Sequence, residues 1–200
     1  MTTVAIETAG FFKLSDRDAD FSAFVERVKN VPDYASAGES ADRTTVFVHF
    51  EDSVTQVVAE TAVQQAVAEH TAAALYATML ERMEHVNQLR DSWMNSYFFY
   101  AGHSWDCDEN GLKNIQGTNT SVALLTQVGQ TLPANFVFRD RNNVNVPADA
   151  AYMAGMGLAL FKFRSDCYTA SWIHKYMISQ CTTVAEVKAY DITVGWPDRG

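Results

Sequence analysis

Basic charge is scarce in this chain of 200 residues. Fifteen Lys and Arg stand against 24 Asp and Glu, which gives a net charge of −9 and a pI near 4.9. A protein that binds nucleic acid normally presents a basic stripe to the phosphates, whereas the basic residues here are scattered along the chain. The composition therefore argues against a nucleic-acid partner.

Cysteine is also rare, with Cys107, Cys167 and Cys181 the three in the chain. They form neither a CxxC pair nor a dense disulfide framework. An odd number in a reducing compartment most often means free, partly buried thiols. A disulfide between two copies of the chain stays open as the alternative.

Long apolar runs are missing. The longest nearly apolar stretch, Ala150–Phe161, has twelve residues, too few to cross a bilayer. The N-terminal residues lack the basic start and long apolar centre of a secretory signal. We therefore expect a protein that is made in the cytoplasm and has no membrane partner. With 48% apolar residues, a chain of this length can bury a substantial core.

Glycine and proline are absent from Ser53 to Tyr97, which predicts continuous helix. Its apolar residues follow two registers, which change near residues 68–73, so either two helices or one long helix with two neighbours is predicted. The first register contains Val54, Val57, Val58, Val63 and Val67, and the second contains Tyr76, Met79, Met83, Val86, Arg90 and Trp93.

The residues before this helix predict mixed structure. The stretch TTVAIET and residues 44–50 are typical of strands, residues 18–31 have the apolar spacing of a helix, and residues 32–43 read as a loop. The sequence thus predicts an N-terminal α+β domain over residues 1–71, a connecting helix over 72–95, and a C-terminal domain over 96–200.

The C-terminal region predicts two short β-hairpins among helices. One surrounds Ala101 and Gly102, the other surrounds the turn DRNN, and Pro147 and Asp149 start a long helix. A heptad register then continues through Met153, Met156, Leu160, Phe163, Cys167, Ala170, His174, Met177 and Cys181. The predicted fold class is α+β with a helix-rich C-terminal domain.

Residues 106–111 look like the front half of a calcium loop. Asp106, Asp108 and Asn110 alternate and Gly111 follows, but the twelfth position is Gly117 instead of the bidentate Glu that an EF-hand needs. We predict that Asp108 instead caps a helix through the amides that follow it. No metal site is expected.

Cys167, His174 and Cys181 recur every seven residues, about 10.5 Å apart on a helix. Side chains so far apart cannot share one zinc ion or pass a proton directly. They share one face, which could pack within a helical hairpin or between subunits, and both alternatives stay open. Since no complete catalytic motif occurs, we expect no enzyme and no cofactor. A hydrolase whose Cys, His and acidic residues meet in the fold is an alternative.

The stretches LRDSWMNSYFFYAGHSWDCDENGLKNIQG, NFVFRDRNNVNVPADAAYMAGMGLALFKF and IHKYMISQCTTVAEVKAYDITVGWP fall within residues 89–197. Their order resembles an uncharacterised C-terminal domain of bacteriophage tail-fibre and neighbouring virion proteins. The matching positions are Arg90, Tyr97 to Trp105, Asp106, Asp108, Phe136 to Asn143, Lys175, Ile178, Glu186, Val187, Asp191, Ile192, Gly195, Trp196 and Pro197.

This resemblance implies a structural protein of the virion, made in the host cytoplasm. From the heptad seams and the aromatic surfaces we expect it to attach to other virion proteins and to form a homo-oligomer. A tail fibre, baseplate, collar or decoration adaptor is expected, and a tail-fibre assembly chaperone absent from the particle is the alternative. Large aromatic side chains dominate interface energies. The candidate interface residues are Trp172, Tyr176, Trp196, Cys167, His174 and Cys181.

Overall fold

The computed structural model describes residues 1–7, 12, 17–40, 43 and 45–199. The chain divides into two compact units, Met1–Thr78 and Met79–Gly200. One helix, α2, runs through the boundary. The architecture is α+β, as the sequence predicts, with a long helix that links an N-terminal β region to a helical C-terminal part.

The first unit contains β1 (Thr2–Glu7), α1 (Arg17–Val28), β2 (Tyr34–Glu39), β3 (Thr45–Phe50) and the start of α2 (Gln56–Met94). The strands form an antiparallel sheet in the order β1-β3-β2. The central strand β3 alternates buried Val46, Val48 and Phe50 with more exposed residues, as period-2 side-chain geometry requires. Their apolar side chains share one core with Phe24 and Val28 of α1.

The loop prediction for residues 32–43 is wrong over Tyr34–Glu39, which is strand β2. This segment is small and polar, with weak intrinsic preference for a strand. It becomes a strand because β3 offers backbone partners, and its register shifts between Tyr34 and Ser36. Residues 41, 42 and 44 of the predicted loop and strand lie outside the described residues.

Helix α2 is a single helix of 39 residues without a break near residues 68–73. Its first apolar register is wrong in part, because Val57 and Val58 are exposed. The buried positions of the early turns are Ala59, Val63, Ala66 and His70, in steps of three and four. The second register is also partly wrong, since Tyr76 is exposed while Val86 is buried.

The second unit contains the end of α2, two hairpins and three further helices. The hairpins pair β4 (Tyr97–Tyr100) with β5 (His103–Asp106) and β6 (Val137–Arg139) with β7 (Asn145–Pro147), as predicted. The helices are α3 (Glu109–Gln127), α4 (Ala150–Ser179) and α5 (Val184–Ala189). Their core gathers Met94, Phe98, Trp105, Cys107, Ile115, Met153, Met156, Leu160, Phe163 and Cys167.

Helix α3 begins as the capping interpretation predicts. The Asp108 side chain accepts a hydrogen bond of 2.8 Å from the Gly111 N–H, which satisfies one free donor of the first turn. Glycine is needed at this position because a Cβ on Gly111 would overlap the backbone carbonyl of Asp106. No group of three or more potential metal ligands occurs among the described residues.

Helix α4 buries one face, but the predicted heptad register fails near its end. The seven members of the register from Met153 to His174 are buried as expected. The next member, Met177, is 44% exposed, and Ile178 is buried in its place. A straight α-helix turns about 100° per residue, so a strict heptad drifts by about 20° each repeat. Relative to Met153, Ile178 is displaced by only about 20° and Met177 by about 120°.

Among the described helices, none is long and apolar enough to cross a membrane.

Candidate functional site

An uncovered apolar surface runs along α4. We name as the aromatic stripe the five side chains Leu158 (70% exposed), Phe161 (72%), Tyr168 (39%), Trp172 (63%) and Tyr176 (63%). Two of the candidate interface residues, Trp172 and Tyr176, belong to it. Single exposed apolar residues are ordinary on protein surfaces, but a contiguous row on one helix is not.

Helical geometry puts the five side chains in one row. Eighteen residues make five full turns, so Leu158 and Tyr176 point in the same direction about 27 Å apart. Phe161 and Trp172 lie between them on nearly the same side. The rings of Tyr168 and Trp172 contact each other, with centroids 6.1 Å apart, so the stripe is continuous between these two residues.

A groove of about 860 Å³ lies beside the stripe, between α3 and α4. Leu112, Ile115 and Gln116 line it from α3, and Phe161, Arg164 and Trp172 line it from α4. The two helices approach each other closely where Gly157 faces Asn119, because a Cβ on Gly157 would lie 2.7 Å from the Asn119 side-chain nitrogen. Away from that crossing the groove opens to solvent.

The cation in this groove already has partners. Arg164 donates to the backbone carbonyls of Met94 at 3.3 Å and Cys107 at 3.4 Å. Its guanidinium therefore joins α4 to the end of α2 and to Cys107, the residue that follows β5. The floor of the groove is formed by the buried side chains of Ile115 and Leu160, so what the groove offers to a ligand is chiefly apolar contact.

Cys167 lies in the core of the second unit instead of on a surface. It belongs to the same buried cluster as Cys107. Burial raises the pKa of the Cys167 thiol to about 11, and burial also raises the pKa of Cys107. Because the thiolate is the reactive form, we expect both buried thiols to react slowly with oxidants and alkylating reagents. Cys181 is half-buried, and its Sγ donates to the Met177 carbonyl at 3.6 Å.

His174 is buried and holds the C-terminal segment. Its Nε2 lies 2.9 Å from the Val194 carbonyl and its Nδ1 lies 2.9 Å from the Tyr190 hydroxyl. A carbonyl can only accept, so Nε2 donates to Val194, and in that tautomer Nδ1 accepts from the Tyr190 O–H. His174 therefore has a structural role in this unit, since both of its nitrogens are used.

Trp196 packs on the same histidine. Its ring centroid is 5.4 Å from that of His174 and 6.3 Å from that of Trp93, and the planes of the two indoles differ by 8°. The indole N–H of Trp196 donates to the Ile192 carbonyl at 2.9 Å. The guanidinium of Arg199 lies over the ring of Trp93, 3.3 Å from its centroid. Trp196 is thus a packing residue between the C-terminal segment and α2.

A histidine–aspartate pair in this unit has no signal in the sequence, because its members are 37 residues apart. His103 Nδ1 donates to the Asp140 carboxylate at 3.0 Å. Asp140 also accepts from the N–H groups of Asn142 and Val144. Burial opposes ionisation of Asp140, but these hydrogen bonds outweigh it and lower its pKa below the ordinary value. The pair fixes the β6–β7 turn against β5.

The six candidates thus separate into two groups. Trp172 and Tyr176 face solvent on the stripe, whereas Cys167, His174 and Trp196 contact other parts of their own unit and Cys181 is half-buried beside them. Leu158, Phe161 and Tyr168 were not among the candidates. Their spacing on α4 is the sequence signal that could have found them.

The family described as Domain of unknown function (DUF4376) matches residues 77–194 of the chain. The match includes the aromatic stripe, the groove and most of the second unit. No curated protein and no solved structure matches the chain.

Proposed function

The chain belongs to the DUF4376 family, and from this premise we propose that it is a structural protein of a bacteriophage virion that acts by protein–protein attachment. The proposed location is a tail fibre, baseplate, collar or decoration adaptor. Two features support it: the resemblance of residues 89–197 to virion proteins, and the uncovered aromatic stripe within the region that matches the family.

The stripe is the observation that carries the proposal. Rigid aromatic side chains provide much contact area at little cost in conformational entropy, which is why they are concentrated at interface hot spots. Phe161 and Trp172 lie at the border of the stripe and the groove, so a partner could contact a ridge and an adjacent depression together. A surface with a ridge beside a groove favours specific attachment to another protein of complementary shape.

The direct test is quantitative mass spectrometry of purified particles from a phage whose genome encodes this chain. We expect the chain at a fixed ratio to the major capsid protein. Replacing Phe161→Ser and Trp172→Ser together should lower that ratio at least about tenfold, since each lost hot-spot side chain weakens binding by about 2 kcal/mol or more.

Met177→Ser is the matched control, because Met177 is an exposed apolar residue of the same helix on a different side. It should leave the ratio unchanged. A wild-type chain that is abundant in the lysate but absent from purified particles would refute the virion assignment. That result would favour the assembly chaperone.

A further inference from the structure

Helix α4 is apolar around most of its circumference. One face is buried in the core of the second unit, and the aromatic stripe lies on another face that is largely exposed. Within the stripe, Tyr168 is partly covered by the Arg90 guanidinium, which lies 5.2 Å from its ring centroid. A helix that is apolar on nearly all sides is normally enclosed. The stripe therefore has the character of an interface that a single copy of the chain leaves open.

We infer that this interface is formed with a second copy of the chain, whose α4 packs antiparallel on the first about a twofold axis near residues 166–167. The inference rests on the proposed attachment function and names its partner. A twofold contact is self-complementary, so residue i of one copy meets residue j of the other and the reverse.

The order of side chains along the stripe fits this symmetry. An axis near residues 166–167 pairs Leu158 with Tyr176 and Phe161 with Trp172, which are large exposed side chains at both ends. Near the centre it pairs Tyr168 with Ser165, and Ser165 is exposed in the gap of the stripe between Phe161 and Tyr168. A large ring thus meets a small residue, as close helix packing requires.

The exposed area of the stripe approaches what a dimer needs. At roughly 200 Å² for each large side chain, the exposed parts of the stripe amount to on the order of 600 Å². The largest apolar patch of a typical monomer covers about 300–600 Å², and a stable dimer buries about 800 Å² on each partner. The stripe therefore supplies roughly three quarters of the area that a stable dimer buries on each partner, and the remainder has to come from residues beside it, such as Leu112 and Gln116 of the adjoining groove.

Charge also permits two copies to meet here. The stripe contains no ionised side chain, and the neighbouring Lys162 and Asp166 form an ion pair of 2.5 Å within each copy. Residues 79–200 contain ten Lys and Arg against twelve Asp and Glu, whereas residues 1–78 contain five against twelve. The excess negative charge that would oppose self-association is therefore concentrated away from the matched domain in the sequence.

Light scattering on the full chain tests for the dimer, over a range of concentrations with reductant present. We expect a mass of twice the 22.2 kDa chain. Trp172→Ala should raise the dimer dissociation constant by about 30-fold or more, because the lost side chain contributes on both copies. Met177→Ala should leave it unchanged. A wild-type monomer throughout overturns the inference.

Cysteine crosslinking tests the register in a Cys181→Ser background. Ala154 and Ser179 are exposed and lie beyond the two ends of the stripe, in line with it. An equal mixture of Ala154→Cys and Ser179→Cys proteins should form a mixed disulfide under mild oxidation. Each variant alone should not, since like positions would lie about 37 Å apart along the antiparallel pair.

Crosslinking of each variant with itself, without the mixed product, would show parallel helices and overturn the antiparallel pairing. A dimer that forms no mixed product and tolerates Trp172→Ala would place the interface elsewhere and overturn it as well. A monomeric chain that is nevertheless present in purified particles would refute the dimer and leave the proposed virion function standing. An antiparallel dimer that is absent from purified particles would support the inferred dimer and refute the proposed virion function.

Discussion

The contacts of Trp196 predict how much this side chain, which packs the C-terminal segment against α2, contributes to the free energy of unfolding. Trp196 is half-buried between Trp93 and His174, and its N–H has a backbone acceptor. Complete burial makes a Trp→Ala substitution cost about 3–5 kcal/mol, and each aromatic contact adds about 0.5–1.5 kcal/mol beyond area. For a half-buried ring with two such contacts, Trp196→Ala should lower the free energy of unfolding by about 2–3 kcal/mol.

The chain supplies a matched control in Trp172, a tryptophan of the same unit that is largely exposed. Trp172→Ala should change the stability of the isolated chain by no more than about 0.5 kcal/mol. The comparison has to be made at low protein concentration, because a dimer would add stability that depends on concentration.

The assay is urea denaturation followed by tryptophan fluorescence. All four tryptophans, Trp93, Trp105, Trp172 and Trp196, belong to the second unit, so this signal follows the unit that Trp196 stabilises. A loss of 2–3 kcal/mol moves the midpoint down by about 1–2 M urea. Equal midpoints for Trp196→Ala and the wild-type chain would refute the role assigned to the C-terminal segment.

Three further predictions concern single positions in the same unit. Gly111→Ala should destabilise the unit by about 1–3 kcal/mol, because the added Cβ overlaps the preceding hairpin. Gly117 has open space around it, so Gly117→Ala should stabilise α3 by about 0.5–1 kcal/mol. Thermal denaturation measures both changes. The lowered pKa of Asp140 stabilises the fold above the ordinary value of 3.8 and loses that effect as pH falls through the lowered value, so the deficit of Asp140→Asn measured at pH 7 should shrink in acid. In a thiol titration at pH 8, one cysteine should react fast, and the Cys181→Ser substitution should abolish that fast reaction. Cys167 should react only after unfolding, because its pKa is about 11. Three fast-reacting thiols would contradict the buried core.

Local signals in the sequence determine much of this fold. The cap at Asp108, the turn at Ala101 and Gly102, and the absence of glycine and proline from α2 each act within a few residues. Such features are readable because their energetics depend on neighbours in the chain. The capping box of α5, in which Thr183 and Glu186 exchange hydrogen bonds, is of the same kind.

Contacts between distant residues were not readable in this way. Strand β2 exists because β3 supplies its backbone partners, and the pairing of His103 with Asp140 joins positions 37 residues apart. Trp196 finds Trp93 across 103 residues. Neither the spacing nor the type of these residues specifies the partner, which only the tertiary fold brings near.

The register of α4 shows how the two kinds of information combine. The sequence interpretation assumed a single apolar face on α4 and left open whether that face packs within the chain or between subunits. The structure gives α4 two apolar lines. The line from Met153 through His174 to Ile178 is buried within the second unit, and the stripe from Leu158 to Tyr176 stays exposed. Because the first line follows the period of 3.6 residues, the buried face does not extend to Met177. The residues that test attachment are therefore on the stripe, and Cys167 and His174, inside the first line, report on folding.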